Sequence, residues 1–402
     1  MLMKRFNINT GLHFSRLDYA SCMGYAGYAG GSAIIPMILL LMAEELHFGL
    51  TSGGLLHLLR SLVMIAAMSV SWLLAARFGK AGTVGTGILL ISGGLFVCSM
   101  AGDYRMLLPA IILVGIGNGF FESIVTGLVQ DLHREESPGR YINIVHSFWP
   151  LGVLLTVTGA GIYLESGGKW RILLIVLALF CILPGVMFFH SGRLRESQVS
   201  HLKCRELFSP LKDRRFLLVL MMLFLAGGSE HCFTFWIPSF IELELDGGSA
   251  ACGSGVALFA AGMFAGRLAC GLFRQLKPEV IITGCASICA LFSLLIPEIT
   301  SGFFLQMILL LLGIATGPLW PGLQYCCASM LRQFNTTALY IVMPLFGIPG
   351  CGFCAWLLGM IGQYAGLRTG FYIVFFCNLL IVLLIRLLIR LDRNHNKSND
   401  LT

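Results

Sequence analysis

Four charged side chains lie inside otherwise apolar stretches of this chain: Arg60, Glu122, Glu230 and Arg267. A charge at bilayer depth costs at least ~2.5–3.5 kcal/mol on insertion scales, so such groups line a wet path or pair with one another. Glu122 is the leading candidate for proton exchange. Protonation removes its charge, and a solute that prefers one protonation state is then coupled to the proton. The alternative is a structural carboxylate held by Asn118 one turn away. Glu230 stands beside His231 and reads as a proton or substrate ligand, or as a fixed structural hydrogen bond between the two halves. Arg60 can neutralise a carboxylate or grip an anionic group with its planar fork; it can also snorkel to the interface. Arg267 falls near the end of its stretch and reads as part of a gate. His146 can shuttle a proton, since small shifts move imidazole across neutral pH, or sit neutral as a hydrogen-bond donor.

Aromatic faces beside amides and carboxylates suit a hydroxylated solute, whose C–H faces stack and whose hydroxyls need donors and acceptors. Trp149, Trp236 and Trp320 could supply the faces, with Asn118, Asn143 and Gln324 supplying the amides. Membrane tryptophans also serve as packing and interfacial residues, and that reading stays open for each.

The elements that carry these residues are apolar helices. Of 402 residues 57% are hydrophobic and only 12% charged, about half the charged share of a soluble domain. Twelve stretches are each long enough to cross a core of ~30 Å as a helix. They fall near 19–42, 52–75, 83–101, 106–130, 141–164, 171–190, 216–240, 250–273, 280–297, 302–329, 338–362 and 369–390. Of the 27 Lys and Arg, 21 fall in one set of alternating segments and four (Arg105, Lys169, Arg171, Arg368) in the other. By the positive-inside rule the rich set, with both termini, is expected to be cytoplasmic. The basic residues form no contiguous face, which argues against nucleic acid. The 14 Cys lie mostly within apolar stretches and read as small buried hydrophobes. Cys351 and Cys354 form a CxxC without redox-domain context. There is no Walker A string, no metal-ligand spacing and no clustered nucleophile and base, so no cofactor, metal or enzymatic role is expected. The N-terminal apolar run is too long for a signal core and is read as a retained first span.

The two halves share a weak repeat. Gly115, Ile116, Gly119 and Glu122 match Gly313, Ile314, Gly317 and Trp320 in spacing, and Ile35-Pro36 matches Ile237-Pro238. With six spans on either side of a long basic loop, the chain resembles the major facilitator superfamily over nearly its whole length. The superfamily's loop motif after the second span is matched at Arg77, Gly79 and Lys80, whereas Trp72 and Ala76 replace its Gly and Asp. A second-half partner motif is matched at Gly266-Arg267, Gly271, Arg274 and Lys277. Three further stretches resemble the fucose–galactose–glucose:proton symporter group: Gly117 to Glu122, Asn143 to Gly152, and Gly228 to Glu230 followed by Trp236. That resemblance implies a proton-coupling role for Glu122. It also implies a gating role for Arg77, Gly79, Lys80 and Arg267. Some members carry a first-span acid where this chain has Ser32.

The expected fold is therefore all-α, with twelve transmembrane helices in two pseudo-symmetric six-helix bundles: 1–190 and 216–402, joined by a cytoplasmic loop at 191–215. The expected function is alternating-access secondary transport, with proton-coupled (or Na⁺-coupled) uptake of a small polar solute such as a sugar. Related sites are Glu122, His146 and Glu230 for protons, and Asn118, Asn143, Trp149, Glu230, His231, Trp236, Trp320, Gln324 and Arg60 for the solute. A proton-driven exporter of drugs or metabolites is the alternative, and a non-transporting membrane sensor the alternative of another class. The expected setting is the plasma membrane (the inner membrane of a bacterium), with the lipid bilayer as surroundings and the chain acting as a monomer.

Overall fold

The computed structural model describes residues 12–48, 50–135, 138–189, 204–246, 249–272 and 277–399. Most of the central loop, with Arg193, Arg195 and Lys203, lies outside these residues, as does Arg274. The helices are α1 (Arg16–Glu45), α2 (Leu50–Ser99), α3 (Tyr104–Leu132), α4 (Pro138–Glu165), α5 (Trp170–Phe189), α6 (Cys204–Leu207), α7 (Arg214–Leu245) and α8 (Ser249–Leu272). They continue as α9 (Pro278–Ser293), α10 (Gly302–Thr316), α11 (Leu319–Met330), α12 (Thr336–Ala365), α13 (Leu367–Gly370) and α14 (Tyr372–Asn399). Large apolar side chains such as Leu155, Ile162, Phe303 and Phe376 are more than 60% exposed, which suits a surface facing lipid.

Eleven segments among the described residues are long and apolar enough to cross a membrane. One of them belongs to α2, whose 50 residues would extend ~75 Å as one straight helix. Gly79 breaks it, with φ 78° and ψ 167°, a backbone geometry essentially reserved for glycine. α2 thus supplies two spans, and the total is twelve. Elsewhere the element boundaries differ from expectation. The tenth span is two helices, α10 and α11, parted at Gly317-Pro318. Pro318 and Pro321 lack the N–H groups that would serve the Ile314 and Gly317 carbonyls. The last helix runs beyond the expected 390 to Asn399.

The chain forms two compact units. One comprises Leu12–Tyr141 and Phe148–Lys203; the other comprises Cys204–Thr402 and includes the α4 segment Ile142–Ser147. Inside each unit the same glycine brings two spans into contact. A Cβ on Gly119 would lie 2.6 Å from the Met64 carbonyl oxygen, and a Cβ on Gly317 would lie 2.6 Å from that of Met263. The sequence repeat is thus a repeat of packing.

Each unit also carries an arginine clamp at the end opposite the basic loops. In the first, Arg171 bonds the Glu45 carboxylate at 2.9 Å, and its Nη1 donates to the carbonyls of Ser99 and Ala101, both at 2.7 Å. Trp170 donates its indole N–H to the same carboxylate at 2.6 Å. In the second, Arg368 bonds Glu244 at 2.8 Å, and its Nη1 donates to the carbonyls of Pro297 and Ile299, both at 2.7 Å. Each guanidinium joins a long helix, a helix-end turn and the start of the unit's last span. Carbonyls at helix ends have no intrahelical donor, and the arginines provide one.

Arg171→Ala and Arg368→Ala should each destabilise the protein, because orphaned carbonyls cost ~1–3 kcal/mol each when desolvated; thermal unfolding in detergent reads this directly. Glu45→Gln should cost less, since Glu45 is half exposed and solvent screens its pairing. The Arg171 hydrogen bond, followed by the Trp170 one, holds the Glu45 carboxyl below its usual range. Its share of stability is therefore present above the ordinary carboxylate range and fades as pH falls through the lowered value. A clamp contribution that grew on acidification would contradict this assignment.

Candidate functional site

In the C-terminal unit the polar centre is an ion pair. Arg267 of α8 meets Glu230 of α7, with Nη2 3.2 Å from Oε2. The two residues are 3% and 7% exposed. Nε of Arg267 donates to the Gly317 carbonyl at 2.7 Å, one of the two carbonyls that prolines deprive of a helical donor. Nη1 donates to the His146 carbonyl at 3.0 Å, within the segment that clusters with this unit. Pro150 stands four residues beyond His146, so that carbonyl also lacks its helical donor. Arg267 is therefore deep in the unit on a carboxylate and two proline-released carbonyls, rather than at a loop. The reason is close approach: a Cβ on the preceding Gly266 would run into the Ile314 carbonyl.

The other expected residues of this unit differ in how they are held. Gln324 of α11 is fully buried, and neither its Oε1 nor its Nε2 has a hydrogen-bond partner. An unpartnered buried amide costs about 1–3 kcal/mol. The tryptophans are engaged in helix packing. Trp236 donates its indole N–H to the Ala355 carbonyl at 2.8 Å and lies against Gly359. Trp320 is wedged between Gly227 of α7 and Gly347 of α12. His231 is partly exposed, and its Nδ1 donates to the Gly227 carbonyl at 3.2 Å. Asn143 and His146 are both buried.

In the N-terminal unit Glu122 is 7% exposed and lies on α3 between Asn118 and Thr126. Spacings of four place these three, with Gln130, along one side of the helix. The Tyr25 and Thr126 hydroxyls share a hydrogen bond of 3.4 Å, while Phe121 meets the rings of Tyr25 and Tyr28 at 4.9 and 5.7 Å. Asn118 is buried with its Oδ1 unpartnered. Arg60 of α2 is partly exposed, within electrostatic reach of Tyr28. Trp149 of α4 is partly exposed.

At the basic-loop end Arg77 is exposed and lies over the Phe78 ring. Gly79 makes the turn, and buried Lys80 reaches the Asp131 carboxylate of α3 at 2.6 Å. Two residues further on, His133 bonds Asp18 of α1 at 2.9 Å and stacks flat on Tyr141 at 3.3 Å. Asp18 also closes the capping box with Ser15 that starts α1. The end of α3 therefore ties down both α1 and the Gly79 turn.

Residues 21–353 match the family profile described as "Major Facilitator Superfamily". The chain belongs to that superfamily. It is accordingly a multi-pass integral membrane transporter. Among solved structures it is similar to the fucose:proton symporter FucP in its outward conformation, at 15% identity and TM-score 0.77, covering 92% of this chain and 98% of that one. It is also similar to the proton:xylose symporter XylE, at 13% identity and TM-score 0.73, covering 92% and 94%. At such identities the likeness is one of fold. Among curated relatives, 112 residues are 29% identical to the multidrug resistance protein MdtH of Yersinia enterocolitica. That match spans 28% of this chain and 28% of the relative.

The superfamily member carries polar residues that motif reading passes over. Asn378 of α14 is buried and donates through Nδ2 to Ser229 Oγ and to the Val374 carbonyl, both at 2.8 Å. A lone amide in an apolar run was its signal. Thr126 and Gln130 were marked by their four-residue spacing from Glu122. The Asp18–His133 bond had no local signal, since its partners are 115 residues apart.

Arg267→Leu strands a buried carboxylate, which costs ~3–5 kcal/mol, whereas removing both partners of such a pair is far less costly. The double substitution Glu230→Leu with Arg267→Leu should therefore unfold at a higher temperature than Arg267→Leu alone, since both lose the Gly317 and His146 carbonyl bonds and only the single one strands the carboxylate. Additive losses in the cycle would show that the pair does not act as a unit.

Proposed function

We propose that this transporter carries a small neutral, hydroxylated solute, such as a sugar, into the cell together with protons. The observation that carries the reading is the chemistry buried in the two units. Each holds one carboxylate inside apolar spans, Glu122 or Glu230, and a buried amide with unpartnered atoms, Asn118 or Gln324. Amide groups of this kind match hydroxyls, which both donate and accept. Glu122 is the coupling group: it is buried within an apolar span on the helix that carries Asn118 and Thr126, and a change in its charge alters what the neighbouring groups can bind. Glu230 is the second acid, balanced by Arg267. Arg60, His146, Asn143, Trp149, His231, Trp236 and Trp320 form the remaining candidate contacts. Lys80 with Asp131, together with Arg77 and Gly79, forms the gate at the basic-loop end. The alternating Lys and Arg bias supports a plasma-membrane orientation with those loops and both termini cytoplasmic, in a monomer. The similarity to sugar:proton symporters in fold supports the same reading.

A second reading, a proton-driven exporter, is favoured by the segment shared with the multidrug resistance proteins. The measurements that separate the two are a ligand screen and a direction-resolved assay. Thermal-shift screening against sugars, nucleosides, organic acids and lipophilic cations should give stabilisation by a sugar-like solute, since a ligand that binds only the native state raises its stability. In proteoliposomes an imposed inward proton gradient should then drive accumulation of that solute, and a Na⁺ gradient should not. Glu122→Gln should abolish accumulation while leaving solute exchange. Accumulation that survived this substitution would remove Glu122 from the coupling role, and stabilisation by lipophilic cations alone would favour export.

A further inference from the structure

We propose that Arg267 is a positioning residue that transmits the charge state of Glu230 to the break in the tenth span. The inference holds whichever solute is carried. One rigid guanidinium bonds the Glu230 carboxylate through Nη2 at 3.2 Å and the Gly317 carbonyl through Nε at 2.7 Å. The guanidinium is planar and its donors are fixed relative to one another. Where the carboxylate holds Nη2 therefore sets how Nε addresses Gly317. That carbonyl is available because Pro321 has no N–H to offer it, and it lies where the prolines interrupt the helical hydrogen bonding between α10 and α11, the backbone of Gly317 and Pro318 keeping right-handed helical dihedrals. Three residues beyond is Trp320, packed on Gly227 of α7 and Gly347 of α12. A charged Glu230 is a strong acceptor and balances Arg267. Once neutral it is a weaker one, and the guanidinium shifts its weight onto its carbonyl partners.

The other half of the repeat supports this assignment by contrast. Met64 and Met263 each meet the matching glycine, Gly119 or Gly317. One turn on, Met68 stands where the second half has Arg267. There α3 runs unbroken through Gly119 and Glu122, with no proline at the places of Pro318 and Pro321. The arginine and the helix break are thus present together in one unit and absent together in the other. Neither has a use as a connector without the other.

The test is fluorine NMR of the full chain in detergent with 5-fluorotryptophan at its six Trp positions. The Trp320 resonance is assigned by its loss in Trp320→Phe. Glu230→Gln, which keeps an acceptor oxygen and removes the charge, should displace the Trp320 resonance by more than its linewidth. The Trp170 resonance, which reports the Glu45 clamp in the other unit, should stay in place. In an Arg267→Lys background, where the charge is kept but the two-armed link is lost, Glu230→Gln should leave Trp320 unmoved. An equal displacement in both backgrounds would show that the signal travels along α7 instead, and no displacement in the Arg267 background would show that there is no signal; either overturns the proposal. If Arg267→Lys fails to fold, Pro321→Ala offers the Gly317 carbonyl a helical donor and should shrink the displacement. An undiminished displacement there overturns it equally.

Discussion

An arginine drawn wholly or partly out of water must find an anion and enough acceptors within the protein, and three arginines of this chain meet that demand in the same manner. Arg171 takes Glu45 with the Ser99 and Ala101 carbonyls; Arg368 takes Glu244 with those of Pro297 and Ile299. Arg267 takes Glu230 with those of Gly317 and His146. Each guanidinium satisfies one carboxylate and two carbonyls that helix ends or prolines leave without donors, and Arg368 reaches a third, that of Glu244, at 3.1 Å. In a medium with no water to substitute, every polar backbone group has to be matched inside the protein. That condition decides where helices may end and which of them can be broken.

The two outer arginines and the inner one differ in what they join. Arg171 and Arg368 hold equivalent corners of the two units, so the outer scaffolding of the repeat is symmetric. Arg267 has no equivalent, because Met68 takes its place. The repeat therefore diverges where the chemistry is. One unit keeps its acid, Glu122, on a continuous helix that also carries Asn118 and Thr126. The other keeps its acid in a tight ion pair beside a proline break.

At the basic-loop end a second set of contacts converges on the last residues of α3. Asp131 holds Lys80, and His133 holds Asp18 and stacks on Tyr141. Lys80 follows directly on Gly79, whose positive φ reverses the chain between two spans. The loop motif thus has two separable tasks here: glycine supplies the turn and lysine supplies the anchor. Arg77, its most conspicuous charge, stays exposed.

The sequence alone was enough for the fold class, the twelve spans, the repeat and the short roll of intramembrane charges. All of these follow from hydrophobic length and spacing along a single helix, which local reading captures. It also marked Glu122 and Glu230 as the acids in apolar surroundings. What it left undecided was pairing, because partners such as Glu230 and Arg267, or Asp18 and His133, stand 37 and 115 residues apart. By its place in the chain Arg267 lies inside a span near its end and reads as part of a gate; only the approach of α8 to α10 across Gly266 and Gly317 carries it onto Glu230. For Trp236 and Trp320 residue type leaves both a ligand platform and a packing role open, and the glycine surfaces opposite them show the rings packed against neighbouring helices. Which hydrogen bonds a proline releases can be read from the sequence, but which side chain takes them up depends on the neighbouring helix, and that is settled only when the helices pack.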